Sequence, residues 1–303
     1  MTGTVLGIKV DVDTYRGLKT GVPNLLAIFR RCAVRASFYF SLGPDNSGKA
    51  IRRVFTRKGF LQKMLRTRAV SMYGLRTVLY GTLLPAPIMG ERLPHVIRAV
   101  RDAGHEVGIH AWDHVKWHDL LDAMTSEEIE AEFDKAARMF ESILDFPANA
   151  SAAAAWRANA ESLSMLDRKN LLYHSNSRGT HPYFPRIGGR VFRTLEIPTT
   201  LPTADEILGT PGVDAKSLPD VLLSKFVPGK VNVFTMHAEV EGMGYQAPFE
   251  RLLGGLLSRG VRCETLETIA REALTDKDKI PACDLVSGTV PGRSGKVAVQ
   301  KVG

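Results

Sequence analysis

Cysteine is scarce: Cys32, Cys263 and Cys283 are the three in 303 residues. Their odd number and scattered positions argue against a disulfide framework or a thiolate metal site and favour a reducing compartment, so no role is assigned to them. Long apolar runs are missing too. With no stretch of about 18 uninterrupted apolar residues, a membrane-spanning helix is not expected. Neither a basic leader nor a small-residue cleavage site comes before "VLGIKV", so an intracellular protein, peripheral to any membrane, is expected. Acidic residues are absent between Asn46 and Gly90, where Lys49, Arg52, Arg53, Arg57, Lys58, Lys63, Arg66, Arg68 and Arg76 all fall. The formal charge is +8 and the pI about 9.4, yet without this segment the chain is nearly neutral. The basicity is therefore a local device.

What is present is an ordinary soluble composition, 44% hydrophobic and 24% charged, long enough for one large α/β barrel or two smaller domains. The runs "TVLGIKV", "ASFYFS", "HEVGIH", "LLYHS", "TLEIP", "VNVFTMH" and "VRCETL" have strand character. Between them lie helical patterns: "GVPNLLAIFRRC" with Pro in its first turn, "LPHVIRAVRDAG" ending at Gly104, and "APFERLLGGLLSRG". "TSEEIEAEFDKAARMFESIL" opens on a capping box, Thr125 with Glu128. Alternation of this kind predicts a parallel α/β sheet or barrel with functional groups at the C-terminal strand ends. No repeat or clear linker appears, so the expectation is one domain over 1–280, with a basic insertion at about 45–91 and an extended tail over 281–303.

Four places carry residues suited to chemistry. In "LGIKVDVDTYRG", Asp11 and Asp13 share one strand face if the extended conformation persists, and such buried charges need a partner or a metal; a turn or helix cap is the other reading. In "HAWDH", His110 and His114 are four apart after a strand, with His118 nearby; such imidazoles can converge on a metal, or be a chance enrichment. His237 ends "VNVFTMH" and could be a general acid or base, or a structural histidine. Arg157 in "AAAAWRAN" could orient a carboxylate, or lie at the surface.

Taken in order, these motifs resemble the polysaccharide deacetylase (NodB-homology, carbohydrate esterase) family of metal-dependent amide hydrolases. The resemblance implies a distorted (β/α) barrel and a divalent metal ion, zinc, manganese or cobalt, held by Asp13, His110 and His114. It further implies that Asp11 is the catalytic base, that Arg157 braces it, and that His237 is the general acid. "DVDTYRG", "GVPNLL", "ASFYFSLGPDN", "YHSNSRG", "EIPTTLPT" and "HAEVEG" are similar to a narrower subgroup, the deformylases of 4-deoxy-4-formamido-L-arabinose phosphoundecaprenol. That likeness implies a polyprenyl-phosphate-linked formamido sugar as substrate, a place in aminoarabinose modification of lipid A and polymyxin resistance, and a site on the cytoplasmic side of the bacterial inner membrane. One departure is Asn176, where the subgroup often has Asp.

With a lipid substrate in view, the basic segment gains a meaning. Phe60, Leu61, Met64, Leu65, Ala69, Met72 and Tyr73 recur at helical spacing among Lys63, Arg66 and Arg68, as in a helix lying on an anionic membrane surface. A nucleic-acid partner is not expected, because aromatic stacking residues are sparse there. Arg16, Arg178 and Lys49 are candidates for gripping the lipid phosphate. The rival expectations are an N-deacetylase of another amino sugar or polysaccharide, and a non-catalytic membrane-binding relative.

Overall fold

The computed structural model describes residues 3–52 and 75–301. The stretch assigned above to an amphipathic membrane helix lies outside the described residues. Twelve strands are present among those described: β1 (Val5–Val12), β2 (Ser37–Ser41), β3 (Glu106–Ala111), β4 (Ala150–Ser151), β5 (Tyr173–His174), β6 (Phe184–Ile187), β7 (Arg190–Val191), β8 (Leu195–Glu196), β9 (Val231–His237), β10 (Arg262–Glu264), β11 (Ala282–Gly288) and β12 (Val297–Lys301).

Eight of them make one sheet in the order β10-β1-β2-β3-β4-β5-β8, with β9 on the other edge of β1. Every pairing in it is parallel. The sheet curls without closing into a full barrel, in keeping with the distorted barrel that the family resemblance implied. The opening between β8 and β9 is bridged by plain chain, where the amides of Thr200 and Leu201 both donate to the Val233 carbonyl.

Alternation along β1 separates two environments. Leu6, Ile8, Val10 and Val12 face the main core, where they meet Phe38 and Phe40 of β2. Flanking helices cover this side with residues at three- and four-residue spacing: Leu25, Ile28 and Phe29 from Val22–Cys32, and Ile129, Phe133, Ala136 and Phe140 from Ser126–Leu144. Burying each of the Leu, Ile and Phe side chains fully is worth about 1.5–3 kcal/mol. The long helix starts at the expected capping box, with the Thr125 hydroxyl accepting from the Glu128 amide and the Glu128 carboxylate accepting from the Thr125 amide. The opposite face of β1 carries Lys9 and Asp11, both buried. That face leads to the site.

The segment read as an extended tail is extended and also paired. β11 and β12 form an antiparallel hairpin, β11 runs parallel to β6, and β7 completes a second, four-stranded sheet. The hairpin is tied to the main body at Arg178, whose amide donates to the Ala298 carbonyl and whose carbonyl accepts from the Gln300 amide.

Candidate active site and metal centre

Parallel strands end on one side of a sheet, so residues distant in sequence meet there. Asp11 sits in register with His237, the last residue of β9, 226 positions later in the chain. Asp13 follows immediately after β1. Across the sheet, His110 lies in β3 and His114 opens the helix His114–Leu120. That helix begins where it does because Asp113 is its N-cap: one carboxylate oxygen accepts from the Lys116 amide at 3.0 Å, while the other accepts from Asn46 at 2.6 Å. The cap turns the chain so that the two imidazoles stack, with ring centroids 5.3 Å apart.

Asp13 lies between them, one oxygen 3.1 Å from His110 Nε2 and the other 3.4 Å from His114 Nε2. Donor atoms of these three residues lie within 4.8 Å of one another. One carboxylate and two imidazoles, with coordination positions left over, suit a divalent cation in an open catalytic site. Asp13 Oδ1 is buried and has no hydrogen-bond partner among the described residues, a lone pair that a cation would satisfy. Burial alone raises the Asp13 carboxyl, but His114 and then His110 hold it well below the usual carboxylate range. The residues present fit the metal.

The turn that presents Asp13 is held by a residue from the far end of the chain. Glu239 Oε1 accepts from the amides of Asp13 and Thr14, at 3.0 and 2.7 Å, and from the Thr14 hydroxyl at 2.8 Å. Gly17 is required beside it, since a Cβ there would stand 2.0 Å from that same oxygen. Two positions on, Glu241 accepts from the His237 amide at 2.9 Å and so fixes the end of β9. Burial, with Asp13 adding repulsion, pushes Glu239 up to about 8; burial pushes Glu241 up to about 7. This is an excess of buried acid that a cation at Asp13 would relieve.

Asp11 stands just behind the metal cluster. Its Oδ1 is 3.9 Å from His110 Nδ1 and its Oδ2 is 3.6 Å from Lys9 Nζ. Lys9 is fully buried; it donates to the Ser175 carbonyl at 2.9 Å and lies over the rings of Trp156 and Tyr39. Burial pushes its ammonium pKa down, while Asp11 and Glu196 oppose that shift. Lys9 is thus the cation that compensates Asp11.

The bracing expected of Arg157 is not what its guanidinium does here. It pairs with Asp122 and donates to the Lys296 carbonyl. The reason lies in the backbone: Ala155 and Trp156 have φ of 56° and 52°, the left-handed region that costs a bulky residue about 1–2 kcal/mol. This turn drives the Trp156 ring into the interior, over Lys9, and sets the Arg157 guanidinium against Asp122. Asn176 is buried, its side-chain oxygen accepting from the Ala153 amide at 2.7 Å. His237 packs edge-on against Trp156, with its Nδ1 3.9 Å from Asp205. Burial works against its protonation, but the carboxylates of Asp205, Asp13, Asp11 and Glu241 together raise its pKa above the ordinary histidine value.

The motif reading missed Lys9, Glu239, Glu241, Trp156 and Asp205. Lys9 and Glu239 did leave a signal, since each stands two residues from a singled-out position and so shares its strand face or loop. Asp205 left none.

A parallel α/β sheet whose C-terminal edge gathers two histidines and a carboxylate, with a further carboxylate and histidine beside them, is equipped as a metal-dependent hydrolase. The chain belongs to the polysaccharide deacetylase family, whose profile matches residues 11–169, and it is a metal-dependent amide hydrolase of the NodB type. It is 38% identical over 299 residues, 98% of its length and 95% of the relative's, to the "Probable 4-deoxy-4-formamido-L-arabinose-phosphoundecaprenol deformylase ArnD" of Shewanella sediminis. To the protein of the same name from Wigglesworthia glossinidia brevipalpis it is 32% identical, over 94% of this chain and 98% of the other. A solved "probable Polysaccharide deacetylase" from Pseudomonas aeruginosa shares the fold, with a TM-score of 0.61 at 16% identity over 90% of this chain and 91% of that one. No helix among the described residues is long and apolar enough to cross a membrane.

Proposed function

We propose that the protein hydrolyses the N-formyl amide of 4-deoxy-4-formamido-L-arabinose phosphoundecaprenol, releasing formate and the free amine used in lipid A modification. The observation that carries the reading is the pair Asp11 and His237, set in register on adjacent strands beside the Asp13–His110–His114 cluster. Near-full-length similarity to two relatives bearing that deformylase name supports the choice of substrate.

When bound, a divalent ion supplies Lewis-acid polarisation of the amide carbonyl and of water. In this reading Asp13, His110 and His114 hold it. Asp11 is the general base and takes a proton from the attacking water. Lys9 pairs with that carboxylate and orients it in a buried place. His237 donates a proton to the departing nitrogen, without which an amine is a poor leaving group. Trp156 and Asp205 keep the imidazole in position. Arg157 remains a proposed site residue, acting on the loop through Asp122. A lipid substrate fits a protein that works at an anionic membrane surface, on the cytoplasmic side.

The deciding experiment measures formate release from the formamido-arabinose lipid after chelation and metal restoration, beside the acetamido analogue. The expected result is metal-dependent formate release with the acetyl compound turned over far more slowly. Faster acetate release would replace this reading with an N-deacetylase, and inactivity on both with metal bound would leave a non-catalytic relative.

The pH profile provides a second check. A general acid must be protonated, so activity falls as pH rises through the raised pKa of His237. Asp205→Asn removes the largest influence that raises it. The alkaline limb of kcat/KM is therefore expected to move to lower pH in D205N. An unmoved limb would mean that another group supplies the proton.

A further inference from the structure

The hairpin between β11 and β12 places Arg293 beside the active site. Its guanidinium carbon lies 4.4 Å from the Trp156 ring centroid, and that of Arg178 is 5.1 Å from the same centroid. Both cations approach one oxygen of Glu206, but not equally. Arg178 donates to it at 2.5 Å and spends a second nitrogen on the Leu201 carbonyl at 2.9 Å. The other Glu206 oxygen accepts from the Thr203 amide. Arg293 is left 3.8 Å from an oxygen already taken, and its side chain, only 11% exposed, makes no hydrogen bond among the described residues.

A guanidinium has five donors in a planar fork, and taking it out of water without acceptors is costly. The position is nevertheless built. Gly292, at φ +77°, brings the hairpin tip so close to the helix Ala204–Ile207 that a Cβ would stand 2.0 Å from the Glu206 carbonyl oxygen. Stacking on Trp156 then holds the fork in one plane. Glu206 balances its charge at ion-pair distance, but no acceptor among the described residues fills the fork, and an anionic ligand would.

Its identity follows from where the fork stands. Trp156 packs edge-on against His237, and Asp205, next in sequence to Glu206, is 3.9 Å from His237 Nδ1. Arg293 is thus on the His237 side of the metal cluster. If His237 protonates the leaving amine, the sugar bearing that amine lies on this side, and so does any charged group attached to the sugar. We propose that Arg293 is a substrate-binding residue that takes a phosphate carried by the amine-bearing sugar, in a bidentate contact over Trp156. The assignment of side rests on the deformylase reading; the anion site itself does not. Arg178, whose two terminal nitrogens are spent on Glu206 and Leu201, positions the carboxylate rather than the ligand.

The test compares two substrates in the metal-loaded enzyme, the 4-formamido-arabinose phosphodiester of a short prenol and the neutral methyl glycoside of the same sugar. Arg293→Gln is expected to raise KM for the phosphodiester by about 10- to 100-fold, as for loss of a charge-assisted contact, with kcat and the neutral glycoside little changed. Arg293→Lys should recover part of the loss, because charge is kept while the fork is not. Gly292→Ala, which displaces the tip without touching the guanidinium, should reproduce the loss selectively for the phosphodiester. Equal impairment of both substrates in all three variants would make Arg293 structural and overturn the proposal. Should wild type turn over neither compound, the deformylase reading fails on its own; binding of methyl phosphate to chelator-treated protein, weakened in R293Q or R293K, would still support the anion site. Affinity equal to wild type would remove it.

Discussion

Asp11→Asn is expected to lower kcat by about 10²- to 10⁴-fold, the range for removal of a general base, while metal affinity stays near the wild-type value. The split follows from geometry. Asp13, not Asp11, contacts both imidazole Nε2 atoms, and Asp11 Oδ1 is 3.9 Å from His110 Nδ1, on the far side of that ring. Asn preserves the shape and still offers Lys9 an oxygen, so the fold should persist. What it cannot do is accept a proton from water. Turnover measured beside calorimetric metal titration reads both halves; unchanged turnover would remove Asp11 as the base, and lost metal binding would make it a ligand.

Lys9→Met is expected to be the most destabilising single change near the site. Methionine fits the volume of the stem, but the substitution leaves the buried Asp11 carboxylate without its cation and the Ser175 carbonyl without its donor. Breaking a buried pair by deleting one member costs about 3–5 kcal/mol. In a domain of this size that is a fall in melting temperature on the order of 10 °C. The diagnostic is the double variant. If the cost comes from the stranded charge, K9M/D11N should be more stable than K9M alone, and the coupling read from the four-member cycle should be of order 1 kcal/mol or more. A double variant as unstable as the sum of the two singles would locate the loss in packing against Trp156 and Tyr39 instead.

These two expectations show how differently the site could be read from the chain. The DxD and HxxxH motifs were visible as side chains at short spacing and gained their metal-site meaning from the family resemblance, while the strands and helices that carry them follow from local periodicity and capping. Lys9 was visible in the same strand, two residues from Asp11 on the same face, but a lysine in an apolar run acquires a role only once its burial is known. Arg157 went the other way. Its place after a run of alanines fitted a bracing arginine, and the left-handed turn at Ala155–Trp156 pointed it at Asp122. No spacing rule foretold that turn. The segment after Lys277 had the composition of a loose tail, yet its extended residues pair with β6 and with each other, and deliver Arg293.

By itself the sequence determined the alternating parallel architecture and the capping box at Thr125, and it displayed the DxD and HxxxH motifs whose reading as the ligand set Asp13, His110 and His114 came from the family resemblance. All of these are written in short-range chemistry. The tertiary structure alone decided that Asp11 is compensated by Lys9, that Glu239 holds the Asp13 turn, that Arg157 pairs with Asp122, and that a C-terminal arginine stands near His237. Those outcomes depend on sheet register and on which buried groups meet, from Lys9 and Asp11 two residues apart to Glu239 and Asp13 from distant parts of the chain, where the cost of an unpaired ion selects the arrangement.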